Sequence, residues 1–270
     1  MDWVEFLALI GLGLAIGVYA TAVGAGGGFL FTPVLLARHG EAEPAEIALA
    51  SMCLVIALSG LSTIRLARDQ RVDYRAVAMA AAIAVPAGLL GATGTARLPR
   101  ELFAAGFTVL LVGLGLYLVW RPSGDAGAVG RRGWRRMRRD SEGQLWLYWI
   151  PVRRTLAAVG LTAVVTALAG IGGGLFFSVL AVRVMRMPVW LAIPASHAIV
   201  VCIAVAVAIY HTATQQFGDP LLDVPALMIG ALIANPVGLR ISARVSESGL
   251  ARLLALGMFA VAARVAFEAF

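Results

Sequence analysis

Lysine is absent from this 270-residue chain, so all 22 of its basic side chains are arginine. Without lysine there is no phosphate-binding loop of the Gly-x-x-x-x-Gly-Lys type, and any energy coupling within the chain has to come from an ion or solute gradient. Cysteine is scarce as well. Cys53 and Cys202 both fall inside apolar stretches, which argues against a disulfide framework or a thiolate metal site and leaves them as small packing residues. Charged residues make up only 14% of the chain, against roughly 25% in an average soluble domain. There is no histidine pair at metalloprotease spacing and no Gly-x-Ser-x-Gly elbow. The sequence therefore carries no enzyme constellation, no cofactor motif and no metal-ligand set.

What fills the chain instead is apolar: 60% of its residues are hydrophobic and the mean hydropathy is +0.88. Long apolar stretches recur, each close to the roughly 20 residues that a helix needs to cross about 30 Å of hydrocarbon. They are continuous rather than alternating, which excludes a membrane barrel and leaves helices. Met1-Asp2-Trp3-Val4-Glu5 lacks the positive charge that opens a secretory signal, so the first apolar segment is expected to be retained. The expected fold class is an all-α polytopic membrane protein, and its expected location is a bacterial inner membrane.

The net charge of +7 is spread over arginines that punctuate the loops between apolar segments. That distribution sets topology and speaks against a nucleic-acid partner. The densest group is Arg131, Arg132, Arg135, Arg136, Arg138 and Arg139 around Trp134, followed by Trp146, Tyr148 and Trp149. It marks residues 122–151 as a basic cytoplasmic linker with anionic lipids as its partners, between repeats at 1–121 and 152–270.

The two repeats are visible as sequence. Gly24-Ala25-Gly26-Gly27-Gly28-Phe29-Leu30-Phe31-Thr32 lines up with Gly170-Ile171-Gly172-Gly173-Gly174-Leu175-Phe176-Phe177-Ser178. Further on, Ser51 meets Ser196 and Pro86-Ala87-Gly88-Leu89 meets Pro236-Val237-Gly238-Leu239. Each half reads as five segments, near 3–23, 28–38, 46–66, 75–95 and 101–120, then near 153–170, 174–186, 190–211, 223–241 and 249–268. This gives eight to ten transmembrane segments, because those at 28–38 and 174–186 are too short for a full crossing and read equally as half or re-entrant helices. The positive-inside rule places Arg65, Arg68, Arg71 and Arg75 inside with the linker, and Arg183, Arg186, Arg240 and Arg244 inside in the second half. Glu41, Glu43, Glu46 and the stretch from Gln215 to Asp219 then fall outside, as do both termini. An odd number of crossings per half inverts the second copy relative to the first, an arrangement that recurs among secondary transporters.

Four glycines within five positions would cost a helix roughly 1 kcal/mol each relative to alanine. They serve either close packing or an interrupted helix whose freed N–H groups bind an anion near the midplane. The candidate binding residues are accordingly Gly24, Gly26, Gly27, Gly28, Gly170, Gly172, Gly173 and Gly174. Thr32 and Ser178 lie one turn beyond the glycines, and Ser51 and Ser196 early in the third segment of each half. Their hydroxyls serve an anion or bond locally to backbone and neighbouring helices. Asn235, just before Pro236, is either an amide donor to an anion or a bridge between helices. His197 and His211 could carry a proton with the substrate, and His197 is the deeper of the two.

The duplicated Gly-x-Gly-Gly-Gly blocks, in register with Ser51 and Ser196 and with Pro86 and Pro236, resemble the sulfite exporter TauE/SafE family of membrane permeases over residues 8–268. The resemblance implies export or uptake of a small anion such as sulfite or sulfoacetate. Protons are a candidate co-substrate through the histidines, and a homodimer is a candidate assembly. Val179 stands where the first block has Pro33, and Ser196 is followed by His197, which points to a proton-coupled or differently selective member. A passive anion channel and a non-transport membrane scaffold are the alternatives.

Overall fold

The computed structural model describes residues 2–120, 133–139, 143–214 and 216–242, together with 249, 252, 255–260 and 263. The helices are α1 (Trp3–Ala22), α2 (Gly28–Arg38), α3 (Pro44–Arg68), α4 (Tyr74–Thr95), α5 (Arg100–Trp120), α6 (Val152–Leu168), α7 (Gly174–Arg183), α8 (Val189–Ala213) and α9 (Pro220–Ser242). Among the described residues five helices, α1, α3, α4, α8 and α9, are long and apolar enough to span a bilayer. The chain is an all-α polytopic membrane protein. Of the last expected segment, 249–268, only parts lie within the described residues, as does only part of the linker.

The ends of these helices follow local chemistry. Pro44 opens α3 behind a capping box in which the Glu43 amide donates to Glu46 Oε2 at 3.2 Å. Asp73 caps α4 by accepting from the Ala76 amide at 3.3 Å. The short helix α2 ends against Arg100, whose guanidinium donates to the carbonyls of Leu36, His39 and Ala42 at 2.7, 2.9 and 2.9 Å. Three bonds from one cation satisfy the carbonyls that a helix C-terminus leaves open.

Neither short helix crosses the molecule. Arg38, in the last turn of α2, donates to Glu5 in the first turn of α1 at 2.6 Å and to Asp223 in the first turn of α9 at 2.7 Å. The α1–α2 pair therefore starts and finishes on one face. The α6–α7 pair does the same on the other: α6 starts directly after the linker, and Trp190, just beyond α7, lies with its ring 6.0 Å from that of Trp146 in the linker and through its carbonyl accepts from Arg71 at 3.3 Å. The first half is thus a re-entrant pair followed by the long helices α3, α4 and α5, and within the described residues the second is a re-entrant pair followed by α8 and α9. The crossing number of the first half remains odd, so the inversion expected from the arginines is compatible with re-entrant short segments.

Packing repeats in the same inverted sense. Helix α1 lies along α9 and α4 along α6, which are equivalent contacts when the halves are exchanged, and α3 lies along α8 at the centre. Glycine permits the close approaches: a Cβ at Gly13 or Gly230 would strike the carbonyl of Leu227 or Ile10 across the α1–α9 contact, and one at Gly91 the carbonyl of Val164 in α6.

The linker holds an element that the sequence reading did not anticipate. Strands β1 (Trp134–Arg139) and β2 (Leu145–Ile150) form an antiparallel hairpin in which Arg136 pairs with Tyr148. Both reach Asp73, which is fully buried: Arg136 Nε donates at 3.0 Å, Tyr148 Oη at 2.6 Å, and a second guanidinium nitrogen of Arg136 also contacts the carboxylate. Arg136 stacks over Trp134 with 4.6 Å to the ring centroid, and Arg138 donates to the Val72 carbonyl at 2.8 Å. Burial pushes the Asp73 carboxyl up, but the bonds from Arg136, Tyr148 and the Ala76 amide outweigh it and hold the group below its ordinary value. The Tyr148 phenol is pushed up by burial and by the same carboxylate.

Candidate functional site: the paired glycine loops

The two glycine blocks are the turns of the two re-entrant pairs, and they meet at the middle of the molecule. Gly26 lies against Ser59 and Val200, and Gly172 against Val55, all near the midpoints of α3 and α8. Three glycines in each block adopt a left-handed backbone: Gly24, Gly26 and Gly27 at φ +71°, +68° and +86°, and Gly170, Gly172 and Gly173 at +63°, +70° and +80°. The fourth is required for a different reason. A Cβ at Gly28 would strike the Ile171 carbonyl, and one at Gly174 the Ala25 carbonyl. Each short helix thus begins pressed against the turn of the other half.

The hydroxyls lock that contact reciprocally. Thr32 Oγ1 lies 2.7 Å from the Gly170 carbonyl and 2.9 Å from Ser51 Oγ. Ser178 Oγ lies 2.6 Å from the Gly24 carbonyl and 3.0 Å from Ser196 Oγ. Ser196 Oγ is also 2.8 Å from the Gly174 carbonyl. A hydroxyl has one proton, and here each proton has a protein acceptor. All four hydroxyls are buried, and in this state they tie one half to the other.

The backbone donors are less fully used. The amides of Gly24, Ala25, Gly170 and Ile171 donate to the preceding helix ends. Those of Gly26, Gly27, Gly28 and Phe29, and of Gly172, Gly173, Gly174 and Leu175, have no protein acceptor among the described residues. All of these residues are buried. Two clusters of free N–H groups at two helix N-termini form an electropositive concentration of the kind that binds anions.

His197 and Asn235 sit beside this centre rather than in it. His197 Nδ1 is 3.2 Å from Ser59 Oγ, while Asn235 Nδ2 is 2.7 Å from Ser62 Oγ and 3.4 Å from Thr21 Oγ1. Thr21, Ser59 and Ser62 were not singled out from the sequence. Their signal was available in the repeat, because the matching positions in the second half are Ala167, Ala204 and Val207. His211 lies at the far end of α8, buried, with its ring against Tyr210 at 5.5 Å between centroids. Among the described residues no three His, Cys, Asp or Glu side chains gather as a metal site.

Paired re-entrant helices whose buried glycine turns meet at the middle of a polytopic helical membrane protein suit a membrane transporter, and comparison with known proteins agrees. The chain belongs to the sulfite exporter TauE/SafE family, whose family model matches residues 9–265. It is similar to the probable membrane transporter protein YunE of Bacillus subtilis (strain 168), with 20% identity over 98% of each chain. No solved structure matches.

Proposed function

We propose that this chain is a secondary carrier of a small anion, sulfite or an organosulfur anion such as sulfoacetate, working by alternating access in a bacterial inner membrane. The observation that carries the reading is the pair of buried glycine turns whose eight free N–H groups lie at the middle of the molecule. A small anion can accept from several such amides at once, and the two re-entrant pairs reach the centre from opposite faces. Alternating access then consists of loosening one turn while the other stays closed. The arginine-rich loops support a cytoplasmic hairpin face with both termini outside. Arg135 and Arg139, exposed on the outer side of the hairpin beside Leu145 and Leu147, suit an anionic leaflet.

The test is uptake of radiolabelled sulfite, sulfoacetate and taurine into proteoliposomes, with and without an imposed pH gradient. The expected result is saturable flux of at least one of these anions, reduced in both Ser51→Ala and Ser196→Ala, since each loosens one turn. Flux that rises linearly with concentration would replace the carrier by a channel.

A further inference from the structure

The halves agree in their glycines and in the hydroxyls that lock them, but not in the next layer of side chains. Thr21, Ser59, Ser62, His197 and Asn235 are all fully buried, and they come from α1, α3, α8 and α9. Carried through the repeat, the matching positions are Ala167, Ala204, Val207, Met52 and Val85. At these five positions one flank of the glycine turns is polar and the other apolar. Aliphatic residues would pack equally well on both, and burying polar groups is unfavourable unless each finds a partner.

The partners can be followed atom by atom. Ser62 Oγ lies 2.9 Å from the Leu58 carbonyl one turn back and gives it its only proton. Only a lone pair is left to face Asn235 at 2.7 Å, so the Asn235 atom on that side is the amide nitrogen. Oδ1 is therefore the other end of the amide, a buried acceptor with no donor among the described residues. One turn away on α3, Ser59 holds His197 Nδ1, and His197 Nε2 is likewise buried without a partner. Gly26 joins this layer to the turn, since a Cβ there would come within 2.6 Å of Ser59 Oγ.

A fully deprotonated oxyanion offers only lone pairs. It would suit the free N–H groups from Gly26 to Phe29 but would meet Asn235 Oδ1 acceptor against acceptor. We infer that the polar layer of Ser59, Ser62, His197 and Asn235 beside Gly26 takes a monoanionic oxyanion that keeps one hydrogen-bond donor, its negative oxygens on the glycine amides and its donor on Asn235 Oδ1. For sulfite this is the hydrogensulfite form, so a proton crosses covalently attached to the cargo. This inference rests on the anion-carrier reading and adds the protonation state of what is carried. His197 is the one titratable group of the five, and Ser59 is its one hydrogen-bond partner among the described residues.

The test compares two competitors of equal charge and similar shape, sulfamate, which has N–H donors, and methanesulfonate, which has none. Each is titrated against labelled sulfite uptake by the wild-type protein at constant pH. Sulfamate is expected to compete at least tenfold better, and sulfite flux at fixed total concentration to fall about tenfold per pH unit once the dianion dominates. Asn235→Leu, which keeps the volume and removes Oδ1, should erase the preference for sulfamate. Equal competition, flux that follows the dianion, or an unchanged preference in Asn235→Leu would overturn the inference while leaving an anion carrier. Absence of saturable flux for every anion would overturn the carrier reading and this inference together. The wild-type competition decides the matter even where the variant fails to fold.

Discussion

Adding one methyl group at Gly28 or Gly174 should destabilise the protein more than any ordinary glycine replacement in a helix. Neither residue has a left-handed backbone, so alanine is tolerated locally. The obstacle is the carbonyl of Ile171 or Ala25 in the opposite turn, which has to withdraw by about an ångström. Overpacking of this kind costs about 1–3 kcal/mol, and the withdrawal also stretches the bond between Thr32 and Gly170, or between Ser178 and Gly24, which adds about 1 kcal/mol. The total is about 3 kcal/mol. Gly60→Ala is the control: Gly60 lies within α3, a Cβ there meets nothing within 4 Å, and the change should gain about 0.5–1 kcal/mol. At roughly 2–4 °C per kcal/mol, melting of the detergent-solubilised protein should separate Gly28→Ala from Gly60→Ala by about 10 °C. Gly174→Ala should behave like Gly28→Ala. Equal melting of Gly28→Ala and Gly60→Ala, or a wide gap between Gly28→Ala and Gly174→Ala, would refute the reciprocal contact.

Asp73→Asn should release the hairpin and lower stability by about 2–3 kcal/mol, seen as a lower melting temperature. Because the folded protein holds this carboxyl below its ordinary value of 3.8, its contribution is complete above that value and is lost as the pH falls through the lower folded value. The wild type should therefore lose melting temperature in acid more steeply than Asp73→Asn. Arg38→Gln should destabilise more than Glu5→Gln in the same assay, because Arg38 also holds the nearly buried Asp223 and Glu5 is exposed. In a background with Cys53 and Cys202 replaced by alanine, Glu41→Cys and Gln216→Cys should react with an impermeant maleimide from outside whole cells, and Asp69→Cys only after lysis. Labelling of all three from one side would end the two-face arrangement.

Much of the helical frame is legible in the sequence because membrane spans are marked by length and apolarity alone. The expected segments at 75–95 and 190–211 lie within two residues of α4 and α8 at each end. The hairpin was not legible. Its inward face is built from Trp134, Arg136 and Arg138, and an arginine turned inward toward a buried aspartate reads in sequence as one more loop charge. At the site, the glycine blocks and the four locking hydroxyls could be named from the repeat, whereas their pairing across the halves depends on how α3 meets α8. Ser59 and Ser62 were hidden for another reason. A serine in a membrane helix ordinarily bonds its own backbone, as Ser62 does to Leu58, and nothing in the sequence states that its lone pair orients Asn235.

The reciprocal lock between the turns has a consequence for leakage. An energised membrane cannot tolerate a pathway open at both ends, even briefly. Thr32 grips the backbone of the second turn and Ser178 that of the first, so neither turn can retreat without breaking a bond that also restrains its counterpart. A turn that retreats leaves buried groups unmatched at about 1–3 kcal/mol each, so a pathway opens only at that cost and the paired turns are the sealed resting state.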